Sequence, residues 1–307
     1  MKIHYIIITF FTFTFSYSQN YYNKAKNIKV DTLNLQDYPN KILLCDSLKE
    51  TSALQYVNGF LYTINDGSGK AEVYKLDPKT GKIIQTIILN KAKNVDWEAL
   101  TYDGKHLYIG DFGNNLGDRN NLAFYKFKLS KINNEKKVDT ITPDYYLFSL
   151  DDQIELITSK NNTTNFDIES FVFDNDQLHI FTKEWNSGHT KHETLETYFK
   201  FQITKIVEEF EIETQITDAS LKNGVLFLTG YSKQGFVYLY KFTDFKKGNY
   251  FNGKMQKIFL GLMPSIGQIE GITIAEDGIY LSGEAIEIHG FSHKQVLYYI
   301  PKNIIPF

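Results

Sequence analysis

From about residue 41 onward the chain is a succession of short apolar runs punctuated by Asn, Asp and Gly, and the runs return in a fixed order. Each unit opens on an acid with a small or apolar residue two places on, passes a polar turn, and enters a Leu/Ile-Tyr/Phe/His strand. A loop and a third strand rich in Tyr and Phe follow. Glu98-Ala99-Leu100 leads to Leu107-Tyr108-Ile109, Glu169-Ser170-Phe171 to Leu178-His179-Ile180, and Asp218-Ala219-Ser220 to Leu226-Phe227-Leu228. Glu270-Gly271-Ile272 leads to Ile279-Tyr280-Leu281, and Ser52-Ala53-Leu54 to Leu61-Tyr62-Thr63, with Ser in place of the acid. The turns, Val57-Asn58-Gly59, Asp103-Gly104, Asp174-Asn175-Asp176, Asn223-Gly224 and Asp277-Gly278, carry the chemistry of tight hairpins.

Third strands are expected at Glu72–Leu76, Leu122–Phe127, Thr197–Phe201, Val237–Phe242 and Val296–Ile300, and fourth strands at Ile83–Leu89, Tyr145–Leu150, Glu209–Glu213 and Lys257–Leu260. Four-stranded antiparallel units at this repeat length are the signature of propeller blades. The pattern predicts an all-β propeller of five blades, with six as the alternative if Asn27–Leu35 and an insertion within Lys131–Asn165 add strands. In the five-blade arrangement Lys41–Cys45 completes the last blade and closes the ring, which removes open sheet edges.

The first 18 residues stand apart. A mildly positive head, an apolar run from Tyr5 to Phe15, and Ser16-Tyr17-Ser18 read as a signal peptide cleaved near Ser18-Gln19. The mature chain, residues 19–307, then forms one propeller domain outside the cytoplasm, secreted or periplasmic, with no further run long enough to span a membrane. An aromatic share of 15% suits half-buried β surfaces. A net charge of −3 provides no basic footprint for nucleic acid. Cys45 is the one cysteine, so no internal disulfide forms, and its apolar neighbours suggest a small buried side chain.

Equivalent positions of a propeller converge on its channel. Glu98, Glu169, Asp218 and Glu270 therefore aim four carboxylates at one mouth, with Ser52 as fifth member. They read two ways: as ligands of a shared hard cation, for which Ca²⁺ with its oxygen preference fits, or as caps on backbone N–H groups of their own blades. The exits of the second strands are less uniform and supply candidate ligand contacts: Asp66; Asp111, Asn114, Asn115 and Arg119; Lys183 and Trp185; Tyr231 and Lys233; Glu284. Asp111 to Arg119 also fits plain turn chemistry, and the aromatics also fit gap-filling between blades. His179, His189 and His192 have no Cys partners and no zinc-protease spacing, and no nucleophile elbow or phosphate-binding loop is present.

The stretches Asp96-Trp97-Glu98-Ala99, Gly110-Asp111-Phe112-Gly113-Asn114-Asn115 with Arg119, Asn165-Phe166-Asp167-Ile168-Glu169, Phe181-Thr182-Lys183-Glu184-Trp185 and Ile269-Glu270-Gly271-Ile272 together resemble a group of uncharacterised secreted propeller proteins of Bacteroidetes-type bacteria. The acid-x-acid blade start is similar, more distantly, to the phytase-like/esterase-like and the gluconolactonase/regucalcin-type propellers. That resemblance implies metal on Glu98, Glu169, Asp218 and Glu270; Ser52 departs from it, and it carries over no catalytic set. Two functions follow. One is a binding or scaffold propeller, Ca²⁺-stabilised, taking a small molecule, glycan or protein at the channel mouth. The other is a metal-dependent hydrolase of an ester, lactone or phosphoester.

Overall fold

A computed structural model of the chain describes residues 22–24 and 29–307, save 68, 157–159, 247 and 289. The signal-peptide reading of residues 1–18 lies outside the described residues. Five sheets form a five-bladed β-propeller. From inner to outer strand, blade one is Thr51–Val57, Phe60–Asn65, Glu72–Leu76 and Ile83–Leu89, and blade two is Trp97–Tyr102, His106–Asp111, Leu122–Lys128 and Asp144–Ser149. Blade three is Asp167–Asp174, Gln177–Lys183, His189–Glu196 and Lys205–Glu211, and blade four is Gln215–Lys222, Val225–Tyr231, Phe236–Thr243 and Lys254–Leu262. Blade five is Gln268–Ile274, Gly278–Glu284 and Val296–Pro301, with Lys41–Leu43 paired antiparallel to the last of these as the outer strand.

Hairpin chemistry fixes the register of the inner strands. Asn58-Gly59, Asn175-Asp176 and Asn223-Gly224 each hold two consecutive positive φ values, the two-residue turn whose twist matches that of a strand pair. Apolar residues on both faces of each sheet then meet the neighbouring blades. The buried side chains accordingly fall into five cores, each shared by two adjacent blades, including blades five and one. Aromatic pairs bridge the joints: Phe112 of blade two meets Phe171 of blade three edge-on at 5.2 Å, and Tyr56 of blade one stacks with Tyr280 of blade five at 6.3 Å.

The insertion expected in Lys131–Asn165 adds no blade. Its strand Val138–Ile141 runs parallel along the outer edge of blade one. Phe201–Ile203, Tyr22–Lys24 and Val30–Thr32 cover the outer edges of blades two, three and four in the same way. Such covering blunts edges that would otherwise pair with other chains.

Two expectations are corrected. The third strand of blade three is His189–Glu196, not Thr197–Phe201; Tyr198, Phe199 and Phe201 are all more than half exposed. Cys45 is exposed, because strand alternation turns Leu44 inward and Cys45 out.

Candidate functional site: an acidic channel mouth

Each inner strand carries a bulge near its start. The register skips one residue between Thr51 and Ala53, Trp97 and Ala99, Ile168 and Ser170, Ile216 and Asp218, and Ile269 and Gly271. A bulge leaves one residue unpaired and re-aims its side chain. The five bulged residues are Ser52, Glu98, Glu169, Thr217 and Glu270, so blade four contributes Thr217 and not Asp218 to the ring. The two hydroxyls stitch neighbouring blades together: Ser52 Oγ donates to the Trp97 carbonyl at 2.9 Å, and Thr217 Oγ1 to the Ile269 carbonyl at 2.7 Å.

Asp218 is a structural acid. It is fully buried, and its carboxylate accepts the backbone N–H groups of Ile272 (2.7 Å), Ala219 (2.8 Å) and Leu54 (3.5 Å), tying blade four to blades five and one. Burial nonetheless pushes its carboxyl well above the usual range.

The three ring glutamates differ in their partners. Glu169 is ion-paired with Lys183, which is itself buried. Burial works against the charge on that lysine, but Glu169 and further acids nearby prevail and hold it protonated. Glu270 accepts a hydrogen bond from the Gln268 amide. Glu98 is 4% exposed, and among the described residues no donor bonds to its carboxylate. One oxygen each of Glu98, Asp96 and Asp66 lies within 4.8 Å of the others. Burial, then the neighbouring carboxylates, raises Glu98 and Glu270 well above the normal carboxylate range. The same causes push Asp96 up to about 7 and Glu284 up to about 8.

Two second-strand exits clasp Asp96. Gly67 and Gly113 back onto its carboxylate so closely that a Cβ at either position would collide with it. Asp111 accepts the Asp96 N–H at 3.1 Å and is ion-paired with Arg119 at 3.0 Å. Arg119 also donates to the carbonyls of Gly113 (2.7 Å) and Asp111 (3.1 Å), so it braces its own loop and offers little to an incoming anion. Asn114 is buried; it donates to the Phe166 carbonyl through its side chain and to Asp167 through its backbone, at 3.0 and 2.7 Å. Asn115 receives the N–H of Asn162 on its carbonyl. Trp185 donates its ring N–H to Asp167 at 2.7 Å, and Lys183 lies 4.5 Å from the Trp185 ring centre and 5.1 Å from that of Tyr231. Lys233 is exposed at the rim.

Among the candidates named from the sequence, Glu98, Glu169, Glu270, Asp66, Lys183 and Glu284 thus come together at the mouth. Asp111, Asn114 and Arg119 support it from behind, and Asp218 serves the blade joints. Asp96 was not among the candidates. Its signal was the acid two places before the anchor, a spacing shared with Asp167 before Glu169. A second acidic group, Glu184, His189 and Glu209, also lies on blade three. There Glu184 is already bonded to Lys191, Thr182 and Ser187, and His189 to Glu209.

No family model matches the chain, and no curated protein is similar to it. Among solved structures, an exo-β-1,3-galactanase from Phanerochaete chrysosporium superposes with a TM-score of 0.51 at 10% identity, over 85% of this chain and 64% of that protein. The major allergen Mala s 1 of Malassezia sympodialis superposes with a TM-score of 0.48 at 11% identity, over 88% of this chain and 98% of that one. At such identities the likeness concerns the fold.

Proposed function

We propose that this propeller is an exported binding protein whose channel mouth is organised by a divalent cation, with Ca²⁺ as the ion its donors suit. The β-propeller scaffold is established. Among the described residues no helix is long and apolar enough to cross a membrane. The export part rests on the signal-peptide features of residues 1–18.

The observation that carries the cation reading is the cluster of Glu98, a buried acid, with Asp96 and Asp66, one carboxylate oxygen of each lying within 4.8 Å of the others. A buried charge normally has a partner. Two oxygens each about 2.4 Å from one Ca²⁺ lie no more than about 4.8 Å apart, which the three acids satisfy. Glu270 and Glu284 add further carboxyl groups to the same mouth, while Lys183 is committed to Glu169. A cation held there would present an anchor for a hydroxyl or anionic oxygen of a ligand. The protein's own part is to keep Asp96 in place through Gly67, Gly113 and Asp111, beside Glu98 and Asp66.

Thermal unfolding in Ca²⁺ and in EDTA tests the reading. A specific ion at 100 times its Kd stabilises by about 2.7 kcal/mol. Ca²⁺ is expected to raise Tm, and Glu98→Gln to remove most of that rise; an equal Tm in both solutions overturns the proposal. Turnover of an ester, lactone or phosphoester that is lost in Glu98→Gln would replace the binding role with metal-dependent hydrolysis.

A further inference from the structure

Beside the acidic mouth, between blades three and four, lies an open cavity of about 580 Å³. This is within the size range of small-molecule sites, roughly 300–1,000 Å³. Trp185, Tyr231 and Met263 are among its lining side chains, the two rings meeting at 59° with centres 6.3 Å apart. Asn186 and Lys233 stand exposed on its rim. Gln215 also lines the cavity; it is 1% exposed, and its side-chain carbonyl has no hydrogen-bond partner.

We propose that this cavity binds a saccharide, with Trp185 as the stacking wall and the Gln215 amide as the buried hydrogen-bonding group. The proposal deepens the binding role given above by naming the ligand, and rests on that reading without depending on the cation. Three observations carry it. The Trp185 ring is locked before any ligand arrives, by its bond to Asp167 and by the Lys183 ammonium against it, so no rotamer freedom is lost on binding. An orphaned buried carbonyl is costly unless a donor reaches it, and a sugar hydroxyl supplies one where an apolar ligand would not. Among the side chains lining the cavity Lys233 is the one that carries charge, which disfavours ligands that need several ionic contacts. An aromatic wall with an amide floor and rim matches a ring with one apolar face and a hydroxylated edge.

The chain contains two tryptophans, and Trp97 is fully buried, so fluorescence reports on Trp185. Tri- and tetrasaccharides of glucose, mannose, galactose, N-acetylglucosamine and galacturonic acid are titrated into the full protein, in Ca²⁺ and in EDTA. A saturable emission shift with at least one series is expected. By calorimetry, Trp185→Ala, Asn186→Ala and Gln215→Leu should each weaken that ligand, the first and last by about tenfold or more. Gln215→Leu separates binding from folding, because replacing an orphaned carbonyl with an apolar group leaves Tm unchanged or higher while affinity falls. No saturable response in any series overturns the proposal, as does undiminished binding in both Gln215→Leu and Asn186→Ala. Saccharide binding with a Tm indifferent to Ca²⁺ would remove the cation and leave this site standing.

Discussion

Glu98 and Asp218 show how one position along a strand decides the role of a buried acid. The first sits on the bulge and faces other carboxylates; the second, one residue past its own bulge, is answered by three backbone N–H groups. Asp218→Ala should therefore cost about 2–4 kcal/mol, read as a lower midpoint in urea, because it strands buried donors at two blade joints. The Tm rise on adding Ca²⁺ should survive it, whereas Glu98→Gln should leave the metal-free fold intact and lose the rise. The sequence marked this difference faintly. The Asp218 repeat was one residue shorter between anchor and second strand than the other four, and moving the anchor back to Thr217 restores the common spacing. An acid beside the right position outweighed that count.

The raised carboxyls also set a pH dependence. Burial and mutual repulsion lift Asp96 to about 7 and Glu284 to about 8, with Glu98 and Glu270 also raised. In the unfolded chain such groups ionise near pH 4. These groups thus hold more protons in the folded state between these limits, and the stability they contribute is fully present below pH 4 and is lost as pH rises through 7–8. In EDTA, Tm should be higher at pH 5.5 than at pH 8.5. Added Ca²⁺ should shrink that difference by taking the place of the protons, with proton release on binding measurable near pH 6.5.

Among the elements, the inner and second strands were the most legible, since turn residues and alternation both mark them. His189–Glu196 was not, because a strand reading His-Thr-Lys-His-Glu-Thr-Leu-Glu looks like loop. His192 and Lys191 are buried through polar pairing, while both carboxylate oxygens of the buried Glu193 lack a partner. His192 meets His179 at 2.7 Å and Glu208 at 3.1 Å, Glu208 accepts the Tyr250 N–H at 2.6 Å, and Lys191 joins Asp152 and Glu184. Burial lowers His179 to about 4, so that imidazole is neutral. Partners that far apart in the chain leave no mark in a local pattern. His192→Ala should cost about 2–4 kcal/mol by unfolding, from the cavity and the bonds left unmade. Of the outer strands, Lys41–Leu43 was legible, whereas the three- and four-residue strands that cover the edges of blades one to four were not, two of them coming from neighbouring blades and two from the N-terminal segment. Removing residues 1–28 takes one such strand from blade three and uncovers the edge of Lys205–Glu211. Removing residues 1–45 also uncovers the edge of Val296–Pro301, and should give higher oligomers by size-exclusion chromatography.

Across the whole molecule, five repeats were readable because each needs the same turns and the same apolar faces. Their differences were readable as residue types but not as roles: Lys183 and Arg119 look alike in sequence, yet one neutralises a ring glutamate and the other braces a loop. The strand Lys41–Leu43 has a consequence for how the chain matures. Its hydrogen-bonding partner, Val296–Pro301, leaves the ribosome some 250 residues later, so blades one to four can assemble during synthesis while the fifth sheet must wait. Until then an early segment trails unpaired and the seam between the first and last blades gapes. A chaperone, or a translocation channel that accepts only unfolded chain, would find its window in that delay.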